Sequence, residues 1–278
     1  MFKFSVLISV YHKEKIENFT AAIDSVINQT LLPNEIVLVQ DGPLTVELEN
    51  AIANYLNTHP GLFSVIVLPE NKGLGAALGI GLQKCAYPWV ARMDTDDICI
   101  SDRFEKQVAF LERNPEYDIL SGYISEFDND TGQALKIKKI PLNHDEAIRF
   151  FRFRSPINHV TVMLRKDKVL EAGNYQAFYL LEDYYLWARM ILHKARIAGI
   201  PDVLVSVRVD QKTMFRRNHW KYFRNEVRLH AFFLKKKLIS LPVFLFNVVL
   251  RFFVRNAPNF ISTFIYRRIR SSPSYEKI

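Results

Sequence analysis

An α/β fold, with a mostly parallel central sheet covered by helices on both faces, is the architecture this sequence predicts, on three observations. Apolar, partly β-branched runs alternate with stretches of helical spacing through the first hundred residues. The runs are short and strongly apolar, as strands buried on both faces are. Polar residues follow three of them, at Ser9-Val10-Tyr11, Asp41-Gly42 and Asp94-Thr95-Asp96-Asp97, the strand ends where ligands bind in such sheets.

Phe4 to Val10 is the first strand. Residues 1–10 are apolar but short, with no basic leader and no small-residue cleavage site, so they do not read as a signal peptide. Ile16, Phe19, Ile23, Val26 and Ile27 then recur at helical spacing between Lys13 and Asn28. Glu35 to Gln40 is a second strand, stopped by Asp41-Gly42-Pro43, and Val46 to Leu56 a second helix. Phe63 to Leu68, Leu74 to Cys85 and Trp89 to Met93 continue the alternation as strand, helix and strand. After residue 100 the rhythm changes. Asp102 to Glu112 reads as helix, Asp118 to Phe127 and Ala134 to Lys139 as strands, and His144 to Arg152 as helix. His159 to Leu164 reads as strand, Glu182 to His193 as an amphipathic helix and Val203 to Val209 as strand.

The 278 residues suffice for one large domain with an appendage. With 49% hydrophobic and 24% charged residues and no biased segment, the composition excludes a disordered, collagenous or repeat chain. Cys85 and Cys99 have neither CxxC spacing nor a Cys/His cluster, which excludes a disulfide framework, offers no zinc signature and fits a reducing compartment. The formal charge of +8 is uneven: residues 211–278 carry 15 Lys/Arg and two acids, a net +13, so residues 1–210 carry −5. The chain therefore divides into a domain at 1–210, whose first half (1–100) faces a nucleotide and whose second half (101–210) a second substrate, and a basic helical tail at 211–278. Within the tail, Leu238 to Leu250 is a run of 13 residues interrupted by Pro242 and Asn247. A membrane span needs roughly 20 apolar residues. The run is thus either a helix at a membrane surface, with Lys and Arg near anionic head groups, or a helix packed on the core. Its charges are interleaved with Phe244, Phe246, Phe252 and Phe253, a pattern that suits lipid and not nucleic acid.

Asp94, Asp96 and Asp97 would repel one another unless a cation sits among them, and Mg²⁺ or Mn²⁺ shared with a diphosphate is the economical answer. The competing role is a helix start, with Asp97 or Ser101 as cap. Asn71-Lys72-Gly73-Leu74-Gly75 opens a helix without a complete phosphate-loop pattern, so it is either a phosphate cradle or a turn that permits close packing. Glu182-Asp183 begins the Leu-Trp helix as a favourable helix start or as a general base. Two carboxylates also suit a glycoside hydrolase, the same cation and phosphates suit a nucleotidyltransferase, and a non-catalytic protein that binds a nucleotide-sugar and a membrane is a further alternative.

These pieces, in this order, resemble glycosyltransferase family 2, the inverting, nucleotide-sugar-dependent enzymes of the Rossmann-like GT-A fold. The resemblance runs from Phe4 to Arg217 through Val6–Tyr11 with Glu14, Glu35–Gly42, Asn71–Gly75, the DxD-type Met93–Asp97 and Glu182–Trp187. Asn158–Arg165 and Met214–Arg217 are similar to bacterial members that build capsule, exopolysaccharide and O-antigen. It implies that Ser9, Tyr11 and Glu14 border the nucleoside, that Asp41 bonds the uracil of a UDP-sugar, and that Asp94 lies near ribose or sugar hydroxyls. Asn71 and Lys72 complete the nucleotide-sugar site. The metal falls to Asp96 and Asp97, the catalytic base to Asp183 and acceptor or sugar contacts to Glu182 and His159. Arg216 and Arg217 meet either the diphosphate or lipid head groups. Gln40 and His12 depart from the usual Asp-Asp-Gly and Tyr-Asn patterns. The implied reaction is hexose transfer, galactose or glucose, from a UDP-sugar to a polyprenyl-diphosphate-linked sugar. The enzyme is expected on the cytoplasmic face of the inner membrane, attached peripherally, with no transmembrane helix and no nucleic-acid partner.

Overall fold

A computed structural model describes residues 2–129, 131–209, 220–256 and 275–277; Arg216 and Arg217 lie outside the described residues. Seven elements open the chain: β1 (Phe4–Val10), α1 (Ile16–Ile27), β2 (Glu35–Gln40), α2 (Val46–Thr58), β3 (Phe63–Val67), α3 (Leu74–Lys84) and β4 (Trp89–Met93). The four strands pair in parallel in the order β3-β2-β1-β4, with Val6 opposite Ile36 and Ala91. Alternate side chains of each strand go to opposite faces. Val6, Ile8, Ile36, Leu38 and Ala91 pack with α1 and α2, and Leu7, Val37, Val39 and Val90 pack with α3. Both faces are therefore core, which is why these strands read as unbroken apolar runs.

The second half holds β5 (Ile98–Cys99), α4 (Arg103–Arg113), β6 (Ile119–Asp128), β7 (Ala134–Lys138), α5 (His144–Phe151), β8 (Met163–Arg165), α6 (Lys166–Glu171), α7 (Glu182–Leu192) and β9 (Ile197–Val209). Strand β8 joins β4 antiparallel and passes the sheet on to β6, with β7 beyond it, while β9 runs parallel to β6 and antiparallel to β5. The strand expected from His159 to Leu164 begins only at Met163, and His159–Thr161 is a 3₁₀ turn. Side-chain hydrogen bonds explain the difference. Asn158 Nδ2 donates to the Gly122 carbonyl at 2.9 Å, and Thr161 Oγ1 accepts from Gly122 N at 3.0 Å and lies 2.8 Å from Ser121 Oγ. These bonds tie the turn to β6 in place of a regular ladder.

Helices α8 (Trp220–Lys235) and α9 (Leu241–Asn256) follow, and a short β10 (Tyr275–Lys277) pairs antiparallel with β7. Tyr222, Leu229 and Phe233 of α8 share a hydrophobic core with Tyr184 and Trp187 of α7. Helix α9 is held by polar groups: Asn247 Nδ2 donates to the Arg152 carbonyl at 2.8 Å, and Arg251 and Arg255 both pair with the buried Glu226 of α8. Among the described residues no helix is long and apolar enough to cross a membrane.

His230 of α8 sits in this clamp, beside Asn247 and edge-on to Tyr184 and Phe233. Burial and the Arg251 guanidinium hold its imidazole down to about 3. An unfolded histidine titrates near 6.5, so the neutral ring's contribution is complete above about pH 6.5 and is lost as the pH falls toward 3. Urea unfolding should show wild type losing roughly 2–3 kcal/mol relative to His230→Leu between about pH 6.5 and pH 4. Parallel stability curves would contradict this assignment.

Candidate active site

The carboxyl ends of β1, β2 and β4 open into one cleft of about 1180 Å³. Every described residue that the sequence nominates lines it: Ser9, Tyr11, Glu14, Asp41, Asn71, Lys72, Asp94, Asp96, Asp97, His159, Glu182 and Asp183. They arrive from segments more than 170 residues apart, several of them because the parallel strands end on one edge. At the end of β2, the buried Asp41 carboxylate accepts from the backbone N–H of Lys72 at 2.7 Å and of Gly73 at 3.0 Å. Its backbone carbonyl accepts from Asn71 Nδ2 at 3.1 Å. Asp41 thus fixes the 71–73 turn as well as facing the cleft. Gly73, at φ 83°, supplies the left-handed conformation this turn requires before α3.

The acidic loop after β4 is held from three sides. Arg92, buried within β4, forms a bidentate pair with Asp94. Thr95 Oγ1 donates to Glu14 at 2.6 Å, tying the loop to the segment after β1. Asp97 Oδ1 accepts from Arg208 N at 2.9 Å, and Arg208 Nε donates to the Asp96 carbonyl at 3.0 Å. Carboxylate oxygens of Asp94, Asp96 and Asp97 lie within 4.8 Å of one another. Burial, reinforced by the charge of Asp96, pushes the Asp97 carboxyl up to about 8. A divalent cation fits this arrangement: Asp94 is already neutralised by Arg92, whereas exposed Asp96 and buried Asp97 form an oxygen-only pair of the kind that holds Mg²⁺ or Mn²⁺ beside phosphate oxygens.

The other wall is the start of α7. A Cβ at Gly75 would meet the Gln176 carbonyl at 2.9 Å and Glu182 Cβ at 3.0 Å, and one at Gly79 the Tyr175 carbonyl at 2.9 Å. The glycines of α3 therefore let the 175–182 segment lie directly against the helix, and this close approach brings Glu182 and Asp183 beside the start of α3. Leu180, in the left-handed region at φ 58°, turns the chain into α7 one residue before its cap, a strained position at the cleft wall. His159 Nε2 lies 2.9 Å from Tyr175 Oη, with its ring edge against Trp187. Burial, with a smaller effect from Arg92, holds the His159 imidazole well below its usual range, so it is neutral at pH 7.

Residues 5–173 match the sequence model of the family described as Glycosyl transferase family 2. The chain belongs to glycosyltransferase family 2. This family 2 chain is 39% identical over 267 residues to the amylovoran biosynthesis glycosyltransferase AmsE of Erwinia amylovora, covering 96% of this chain and 99% of that one. It is 34% identical over 270 residues to the UDP-Gal:alpha-D-GlcNAc-diphosphoundecaprenol beta-1,3-galactosyltransferase of Escherichia coli, covering 96% of each. Among solved structures, S. aureus TarS 1–349 in complex with UDP-GlcNAc superposes with a TM-score of 0.69 at 18% identity, covering 94% of this chain and 76% of that one. A mannosyltransferase from Pyrobaculum calidifontis in complex with GDP-Man and Mn²⁺ superposes at 0.62 and 17% identity, covering 92% and 70%. The fold is GT-A, and the chain is a nucleotide-sugar glycosyltransferase. Of the activities left open by the carboxylates alone, hydrolase and nucleotidyltransferase fall away.

Arg92, Thr95, Tyr175 and Arg208 escaped the sequence reading. Arg92 had a signal: a lone charge inside an apolar strand, two residues before Asp94 and so on the same side of the chain. Arg208 had none, because β9 reaches the acidic loop only through the tertiary fold. Replacing Arg92 by Met should cost about 2 kcal/mol in urea unfolding by stranding Asp94, a figure lowered for Asp94's partial exposure. It should also weaken UDP binding at least tenfold; a variant of wild-type stability and UDP affinity would show that the pair does not hold the loop.

Proposed function

We propose that this chain transfers a hexose, with inversion at the anomeric carbon, from a UDP-sugar to a sugar carried on a polyprenyl diphosphate. The observation that carries the reading is the convergence in one cleft of the acidic loop after β4 and the Glu182-Asp183 pair at the start of α7. The printed specificity of the E. coli relative, UDP-Gal and a GlcNAc-diphosphoundecaprenol, supports galactose as the hexose and a lipid-linked N-acetylhexosamine as the acceptor. The E. amylovora relative, named for amylovoran biosynthesis, supports a place in polysaccharide assembly, and a lipid-linked acceptor used with a UDP-sugar would place the reaction on the cytoplasmic face of the inner membrane.

The roles are those the family resemblance assigns to the residues gathered in the cleft. Ser9, Tyr11 and Glu14 flank the nucleoside, Asp41 accepts from uracil, and Asn71, Lys72 and Asp94 meet the donor's phosphate, ribose or sugar groups. Asp96 and Asp97 hold Mg²⁺ or Mn²⁺, which when bound offsets the charge that grows on the departing diphosphate. Asp183 takes the proton of the acceptor hydroxyl as that oxygen attacks the anomeric carbon. The new bond to the acceptor oxygen forms as the bond to the UDP oxygen breaks on the opposite face, which inverts the configuration. Glu182 and neutral His159 orient acceptor or sugar hydroxyls.

UDP release from a panel of UDP-sugars, with and without a lipid-diphosphate-linked N-acetylhexosamine, tests the reading. Release should require both acceptor and Mn²⁺ or Mg²⁺ and should be largest with UDP-Gal. Asp183→Asn should lower kcat by about 10³-fold with the donor KM little changed, the effect of removing a general base. Asp96→Ala should remove the metal dependence together with the activity. Release that survives both substitutions would overturn the assignment.

A further inference from the structure

Helix α9 is amphipathic in the inverted sense. At 100° per residue, Leu241, Leu245, Phe246, Val249, Leu250 and Phe253 fall on one half of the helix together with Pro242, and all are exposed, Phe253 at 63% and Phe246 at 55%. The other half faces the protein: Val243, Phe244 and Val254 pack inward there, and Asn247, Arg251 and Arg255 among them bond to Arg152, Phe153 and Glu226. A helix that packs on a core in water presents the reverse arrangement.

Two further observations identify what covers the apolar half. The exposed face of the neighbouring α8 is a basic stripe, Lys221, Arg224, Arg228 and Lys235 at helical spacing, continued by exposed Lys236 and Lys237 in the turn to α9. From Trp220 to Asn256 there are eight Lys/Arg and a single acid, Glu226, which is buried against Arg251 and Arg255. The outward charge of the hairpin is thus entirely positive. The apolar half is also continuous with the cleft: Leu250 lines it, as does the buried Val254 beside it, and Phe246 stands edge-on to Phe153, another lining residue.

We infer that the α8–α9 hairpin is a docking surface for an anionic lipid bilayer, with the outer half of α9 among the acyl chains and the α8 stripe on the head groups. Docked this way, the end of the cleft lined by Phe153, Leu250 and Val254 opens at the membrane, so that a lipid-borne acceptor enters it without leaving the bilayer. The orientation of the cleft gives meaning to the proposed acceptor and rests on that reading; binding to lipid does not.

Sedimentation of the full chain with phosphatidylglycerol and with phosphatidylcholine vesicles separates the two. Wild type should bind the anionic vesicles at least tenfold more tightly, and brominated phosphatidylglycerol should quench Trp220, which is exposed while Trp89 and Trp187 are buried. Phe246→Gln with Val249→Gln and Phe253→Gln, all at exposed positions, should reduce vesicle binding at least tenfold while leaving UDP affinity unchanged. Lys221→Glu with Arg224→Glu and Arg228→Glu should erase the preference for phosphatidylglycerol. Equal binding by wild type and the glutamine variant would overturn the inference, as would a wild-type dimer that this variant dissolves, which would assign the face to a second copy. Failure of UDP release with normal vesicle binding would count against the proposed reaction alone.

Discussion

A buried guanidinium in the central strand governs this active site. Arg92 sits within β4 between Ala91 and Met93, and its guanidinium forms a bidentate pair with the carboxylate two residues on. Removing a charge from water is expensive unless it is paired, so the strand end and the loop that follows form a unit. That unit fixes where Asp96 and Asp97 stand. Glu14, through Thr95, and Arg208, through Asp97, lock it to the segment after β1 and to β9, so the first and later parts of the chain meet at the acidic loop.

The opposite wall depends on absent atoms. Without a Cβ at Gly75 and Gly79, the 175–182 segment rests on α3, and Glu182 and Asp183 begin α7 next to the turn that Asp41 organises. The same glycines thus serve packing first and the site second. Behind α7, the aromatic contacts of Tyr184 and Tyr185 reach α8, and Glu226 binds α8 to α9. The start of α7 and the hairpin that carries the exposed apolar half of α9 are therefore joined through one core.

The first half of the fold was legible because its strands are buried on both faces and its helices on one, and both leave a period in the sequence. The motif residues were legible because they stand where those periods stop. What was not legible came from polar competition and from tertiary reach. The turn at His159–Thr161 has the apolar pattern of a strand, but Asn158, Thr161 and Ser121 satisfy one another with side-chain bonds. Arg208 bonds across more than a hundred residues to Asp96 and Asp97. The tail's apolar and basic residues were visible, but which half of α9 faces inward depends on Glu226 and Arg152, both outside that helix.

The account rests on the acidic loop being a preformed seat for a metal-bound diphosphate in the cleft that also holds Asp183. A crystal structure of the chain with UDP and Mn²⁺ tests this most directly, because Mn²⁺ is located by its anomalous scattering. The account predicts an Mn²⁺ peak bridging Asp96 or Asp97 and the diphosphate, the Arg92–Asp94 pair intact, and the Asp183 carboxylate facing the space beyond the terminal phosphate. A nucleotide bound outside this cleft, or an Mn²⁺ peak remote from the acidic loop, would contradict it.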